Sequence, residues 1–104
     1  MLDKETVREI AIRYAEAVLK ILSPDAVILF GSYVEGNPHE WSDIDIAVVV
    51  NDFQGDWLKT ASALCGLSWD ISLDIEPHLL DKTCDRSGFV EHVIKTGEII
   101  YTAA

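Results

Sequence analysis

Val27-Ile28-Leu29-Phe30-Gly31-Ser32-Tyr33-Val34-Glu35-Gly36-Asn37-Pro38-His39-Glu40-Trp41-Ser42-Asp43-Ile44-Asp45-Ile46-Ala47-Val48-Val49-Val50 is the stretch that decides the fold. An apolar run stops at a Gly-Ser pair, a polar loop follows, and a second apolar run opens on two aspartates one residue apart. Ala26 to Phe30 is branched and aromatic, which predicts a strand buried on both faces. Gly31 lets the backbone turn and lets a ligand approach closely, having no side chain in the way. If a short helix starts after Ser32, its free N–H groups and the serine hydroxyl converge on a spot that favours an anion, and Gly36 would end that turn.

The second run predicts a strand from about Ser42 to Val50. Side chains alternate along a strand, so Asp43 and Asp45 project together while Ile44, Ile46 and Val48 project the other way. Two carboxylates that close resist ionising unless a cation lies between them, and an oxygen-only set suits Mg²⁺. Taken singly, a Gly-Ser after a strand is usually a turn and aspartates near a strand start are usually solvated or capping. Their combination, a dozen residues apart on two strand edges, carries the signal: a phosphate cradle facing a metal site. A P-loop is excluded, since no Lys or Arg occurs from Ile21 to Leu58. An aspartyl-phosphate enzyme of the dehalogenase type is excluded because here the apolar run follows the Asp-x-Asp.

Upstream, Val7, Ile10, Tyr14, Val18 and Ile21 recur at three- and four-residue steps and predict an amphipathic helix over 4–22, with Asp3 as N-cap and Leu2 and Val7 as a hydrophobic staple. Downstream, Trp57, Leu58, Ala61, Leu64 and Cys65 mark a helix ending near Gly66, with Cys65 as small core filler. From Asp70 to Glu76 acidic or polar and aliphatic residues alternate, predicting a third strand with Asp70, Ser72, Asp74 and Glu76 on one face, broken by Pro77-His78. A last helix is expected over 86–96, with Phe89, Val90, Val93 and Ile94 inward and Gly97 as its stop, then a short strand at Ile99 to Tyr101. His39 reads as a solvated loop histidine. Trp41 either stacks on a base or covers the sheet edge.

The 104 residues suit one domain over 1–104, and 49% hydrophobic with 25% charged residues is ordinary globular composition. A net charge of −10 argues against direct nucleic-acid binding and against an anionic membrane surface, and makes a basic protein partner more natural. Cys65 and Cys84 have neither disulfide-framework nor zinc spacing. Without a targeting pattern or a membrane-length apolar run, a cytoplasmic location is expected. The oligomeric state stays open.

Gly31-Ser32, Gly36 and Ser42-Asp43-Ile44-Asp45-Ile46 resemble the signature of the DNA polymerase β-like nucleotidyltransferases in their smallest form, the minimal nucleotidyltransferase (MNT) domains. Phe89 to Tyr101 resembles their usual ending, so the likeness covers most of the chain. It implies an α+β fold, a small mixed sheet with flanking helices like the polymerase β palm. It implies two Mg²⁺ ions held by Asp43, Asp45 and a third aspartate on the next strand, for which Asp74 is the matching position and Glu76 the fallback. Gly31 and Ser32 would bind the β- and γ-phosphates of ATP, and Asp74 would take the acceptor proton. The implied reaction transfers a nucleoside monophosphate, AMP from ATP, to a hydroxyl.

Many MNT domains carry an arginine where this chain has Glu35, so phosphate binding here would lean on the metal or on distant cations. The short chain has no room for an acceptor domain, which points to a partner. MNT domains are typically paired with a HEPN-domain toxin, acting as antitoxin and AMPylating a toxin tyrosine. Two other readings are a non-catalytic antitoxin that neutralises by binding alone, and a small-molecule nucleotidyltransferase of the aminoglycoside type.

Overall fold

The computed structural model describes residues 3–35 and 43–103. Helix α1 spans Lys4–Val18, and the Asp3 carboxylate caps it by accepting from the Thr6 N–H at 2.7 Å. Leu2, the other half of the expected staple, lies outside the described residues. The helix stops four residues short of the expected 22. Leu19 and Ile21 are 40% and 50% exposed, so the apolar period ran on past the point where there was core to pack against.

Strands β1 (Ala26–Phe30), β2 (Ile44–Val50), β3 (Ile75–Asp81) and β4 (Glu98–Thr102) form a sheet in the order β3-β2-β1-β4. β1 is antiparallel to β2 and β4, whereas β2 and β3 are parallel. A parallel pair needs a crossover, supplied by helix α3 at Trp57–Trp69. The short helix α2 (Ser32–Glu35) follows β1, and helix α4 (Phe89–Thr96) precedes β4. This mixed sheet with flanking helices is the α+β architecture the sequence implied.

Alternation along β2 sorts the molecule into two faces. Val27, Leu29, Ile44, Ile46, Val48 and Ile75 pack against Val7, Ala11, Tyr14 and Val18 of α1 and Leu64 of α3. The Tyr14 hydroxyl donates to the Leu64 carbonyl at 2.7 Å, tying the two helices across this core, and burial drives its pKa up. On the opposite face Ile28, Ala47 and Val49 pack against Val90 and Val93 of α4.

Three expectations are corrected. The third strand is 75–81, not 70–76: Asp70 is the C-cap of α3, and Ile71 and Ser72 donate backbone bonds to Ser68, so the alternation there belongs to a turn. Pro77 does not break β3, because β3 is an edge strand and proline's missing N–H can face outward there. Helix α3 continues through Gly66 to Trp69; a helical glycine costs only about 1 kcal/mol, which packing overrides.

Smaller differences follow the same logic. Cys65 is exposed rather than core, since α3 turns Leu64 and Ser68 inward. Helix α4 begins at Phe89, not 86, and the Asp85 carboxylate reaches forward to accept from the Val90 and Glu91 N–H groups. Val90 and Val93 are buried as expected, but Phe89 and Ile94 stay partly exposed.

Candidate active site

The register of the sheet builds the site. Asp45 on β2 pairs with Phe30 on one side and Glu76 on the other, and paired residues share a face. His78, opposite Ala47, follows two residues after Glu76 on that face. Asp45, Glu76 and His78 consequently offer ligand atoms that all lie within 4.8 Å of one another. His78 Nε2 is 3.3 Å from Asp45 Oδ1. Asp43 flanks the group, close enough that its charge and a hydrogen bond act on Glu76.

The electrostatics fit a cation site. Glu76 is pushed above the ordinary carboxylate range, first by desolvation and then by the Asp45 charge, with Asp43 adding to it. The pKa of His78 is raised by its hydrogen bond to Asp45 and by the nearby carboxylates, against an opposing desolvation effect. Mutually repelling carboxylates beside an imidazole are a donor set that a divalent cation would satisfy, so the residues present fit a metal.

Gly31 joins the bend to this cluster. Its φ of +84° is left-handed, and a Cβ placed there would run into the Asp45 carboxylate at Oδ2. The bend between β1 and α2 therefore sits directly against Asp45. Val34 N–H bonds the Gly31 carbonyl at 3.0 Å, closing the first turn of α2. Beside it lies a cavity of about 200 Å³, lined by Phe30, Gly31, Val34, Phe89 and His92 among others.

Of the carboxylates expected to hold metal, Asp45 stands in the cluster and Asp43 beside it. Asp74 does not join the three converging groups. It lies one residue ahead of β3, exposed, with its carbonyl accepting from Ile44 N–H at 2.7 Å and its own N–H bonded to Ser72 Oγ at 3.2 Å. The fallback Glu76 occupies the place opposite Asp45 instead. The sequence reading missed His78; the signal was its two-residue spacing from Glu76, which puts both on one face once the strand is carried through Pro77. The Ser32 and Glu35 side chains, and Gly36, His39, Trp41 and Ser42, lie outside the described residues.

The family model for polymerase beta nucleotidyltransferases matches residues 13–104. The chain belongs to this family. The nucleotidyltransferase domain, of minimal MNT type, also resembles solved structures. One is a protein from Sulfolobus solfataricus assigned as a nucleotidyltransferase, with TM-score 0.69 and 21% identity over 96% of this chain and 84% of that one. Another is a toxin-antitoxin complex with AMP-PNP, with TM-score 0.63 and 25% identity over 88% of this chain and 73% of that one. A third is a mutant of the toxin-antitoxin pair MntA-HpeT, with TM-score 0.59 and 22% identity over 98% of this chain and 75% of that one. No curated protein matches the nucleotidyltransferase domain in sequence. Among its described residues no helix is long and apolar enough to cross a membrane.

Proposed function

We propose that this nucleotidyltransferase moves AMP from ATP to a hydroxyl of a partner protein, a tyrosine of a HEPN-type toxin, and so acts as an antitoxin. The observation that carries the reading is the close approach of the Gly31 bend to Asp45, one of three donor side chains within 4.8 Å of one another, and it supports a phosphate site beside a cation site. The toxin-antitoxin complex solved with AMP-PNP supports both the adenine nucleotide and the antitoxin role.

The residues take the following parts. Backbone N–H groups after Gly31 and the Ser32 hydroxyl hold the outer phosphates. Asp43, Asp45 and Glu76 would hold divalent cations, which would supply positive charge to offset the negative charge of the triphosphate and of the transition state. An acceptor hydroxyl attacks the α-phosphorus in line, the bond to the β-phosphate oxygen breaks, and pyrophosphate leaves. Glu76, paired with Asp45 across the strands, accepts the hydroxyl proton.

A partner is supported by an exposed apolar stripe on α3. Leu58, Ala61, Cys65 and Trp69 recur down one side of that helix, with Leu58 at 77% and Trp69 at 76% exposure, and Leu73 beyond it at 82%. With a net charge of −10, the occupant that fits is a protein whose own apolar patch is rimmed with Lys and Arg. The test is co-expression with the protein encoded beside it. An adenylate mass on the partner, lost with an Asp43/Asp45 double alanine substitution, is expected. Protection by the double variant, with no mass gained by the partner, would show neutralisation by binding alone.

A further inference from the structure

We infer that His78 is a nitrogen ligand of the metal site, so that the site prefers a first-row transition-metal dication, Mn²⁺ above Mg²⁺. The inference rests on the metal-site reading given under Proposed function and adds to it a residue and a selectivity. The oxygen-only set Asp43, Asp45 and Asp74 would suit Mg²⁺, but the groups that converge are two carboxylates and an imidazole.

Geometry supports ligation. An octahedral cation with bonds of about 2.1 Å has neighbouring ligand atoms roughly 3 Å apart. His78 Nε2 and Asp45 Oδ1, at 3.3 Å, are already spaced like two such neighbours, and Glu76 lies within the same 4.8 Å span. An ion held by three such ligands would keep positions for water and phosphate oxygens.

The ring is also held in place before any ion binds. His78 pairs across the sheet with Ala47. Phe30 meets the imidazole edge-on at 5.1 Å, and Phe89 of α4 meets Phe30 in the same way at 5.8 Å. The His78 side chain is 32% exposed and that of Asp45 is 23%, so the nitrogen faces a partly shielded site that solvent and ions can still reach.

Nitrogen ligation has a selective consequence. Imidazole binds Mg²⁺ poorly, because that ion prefers oxygen and keeps its waters, whereas affinity for nitrogen donors rises along the transition series from Mn²⁺. Removing His78 should therefore weaken one ion and spare the other.

The test is titration of the purified chain with Mn²⁺, followed by loss of the free-ion electron paramagnetic resonance signal, and with Mg²⁺ by calorimetry and by competition against Mn²⁺. His78→Ala is expected to lose about tenfold or more in Mn²⁺ affinity, since even residues that only orient a ligand contribute that much, with Mg²⁺ affinity little changed. His78→Asp, which restores an oxygen-only set, should lower the Mn²⁺/Mg²⁺ preference while keeping a site, and it reports even if the alanine variant folds poorly. Unchanged Mn²⁺ affinity in His78→Ala, or equal weakening of both ions, overturns the inference. Asp45→Asn separates the two levels: if it leaves both affinities untouched, the metal-site reading itself fails, whereas loss of both ions with His78→Ala silent overturns only the role of His78.

Discussion

The two faces of the sheet are built from the same strands and do opposite work. On one, Ile44, Ile46 and Val48 of β2 are sealed beneath α1 and α3. On the other, Asp45, Ala47 and Val49 alternate with them: Ala47 and Val49 are sealed beneath α4, while Asp45 stays partly exposed beside Glu76 and His78. In the proposed site, one residue of register separates the buried Ile46 from Asp45, and substitutions at these neighbouring positions should separate stability from chemistry.

The largest expected contrast is between Ile46→Ala and Asp45→Asn. Ile46 is fully buried, so its truncation should cost about 2–5 kcal/mol, read as a lower denaturation midpoint in urea. Asp45→Asn relieves repulsion with Glu76 but weakens the hydrogen bond to His78, so the midpoint should move little while transfer of labelled AMP falls to background. A destabilised Asp45→Asn with normal transfer would erase the distinction between the faces.

Gly31→Ala belongs to both sides of the contrast. A non-glycine residue at this left-handed position costs on the order of 1–3 kcal/mol, and its Cβ must also displace the Asp45 carboxylate. Stability and divalent-ion affinity should therefore fall together in denaturation and calorimetry. Gly66→Ala should do the reverse on the closed side. Nothing lies within 4 Å of a Cβ there, so the substitution should raise stability by about 0.5–1 kcal/mol through helix propensity alone.

The smallest effect concerns Asp81, at the far end of β3 from the site. Its carboxylate accepts from the Asp52, Phe53 and Thr83 N–H groups and from the Thr83 hydroxyl, tying the β2–α3 turn to β3. These bonds, led by the Thr83 hydroxyl, lower its pKa from 3.8 to about 2. A folded-state value below the unfolded one means that the contribution is present above pH 3.8 and is lost as pH falls through about 2. Asp81→Asn should flatten that part of the acid-denaturation profile and leave metal affinity alone.

How much of this could be read in the sequence depended on the range of the interactions. β1 and the Asp3 cap are set by near neighbours, and they were legible. The strand carrying Glu76 and His78 was not. Its start is fixed by pairing with β2 31 residues away, as Ile44↔Ile75 shows, and its tolerance of Pro77 depends on being at the sheet edge. The turn at Asp70–Asp74 imitates a strand locally, with polar and aliphatic residues in strict alternation, and only the tertiary pairing reveals otherwise. Cys65 and Gly66 were misplaced for a related reason: nothing within α3 says which of its sides meets α1.

The proposed chemistry depends most directly on which acid stands beside Asp45. The deciding measurement is the rate of AMP transfer by Glu76→Gln set beside that of Asp74→Asn, each checked for an unchanged denaturation midpoint. Loss of a carboxylate that holds the metal and accepts the proton should slow Glu76→Gln by about 100-fold or more, with Asp74→Asn close to the parent. A Glu76→Gln variant that transfers normally while Asp74→Asn is dead would contradict it.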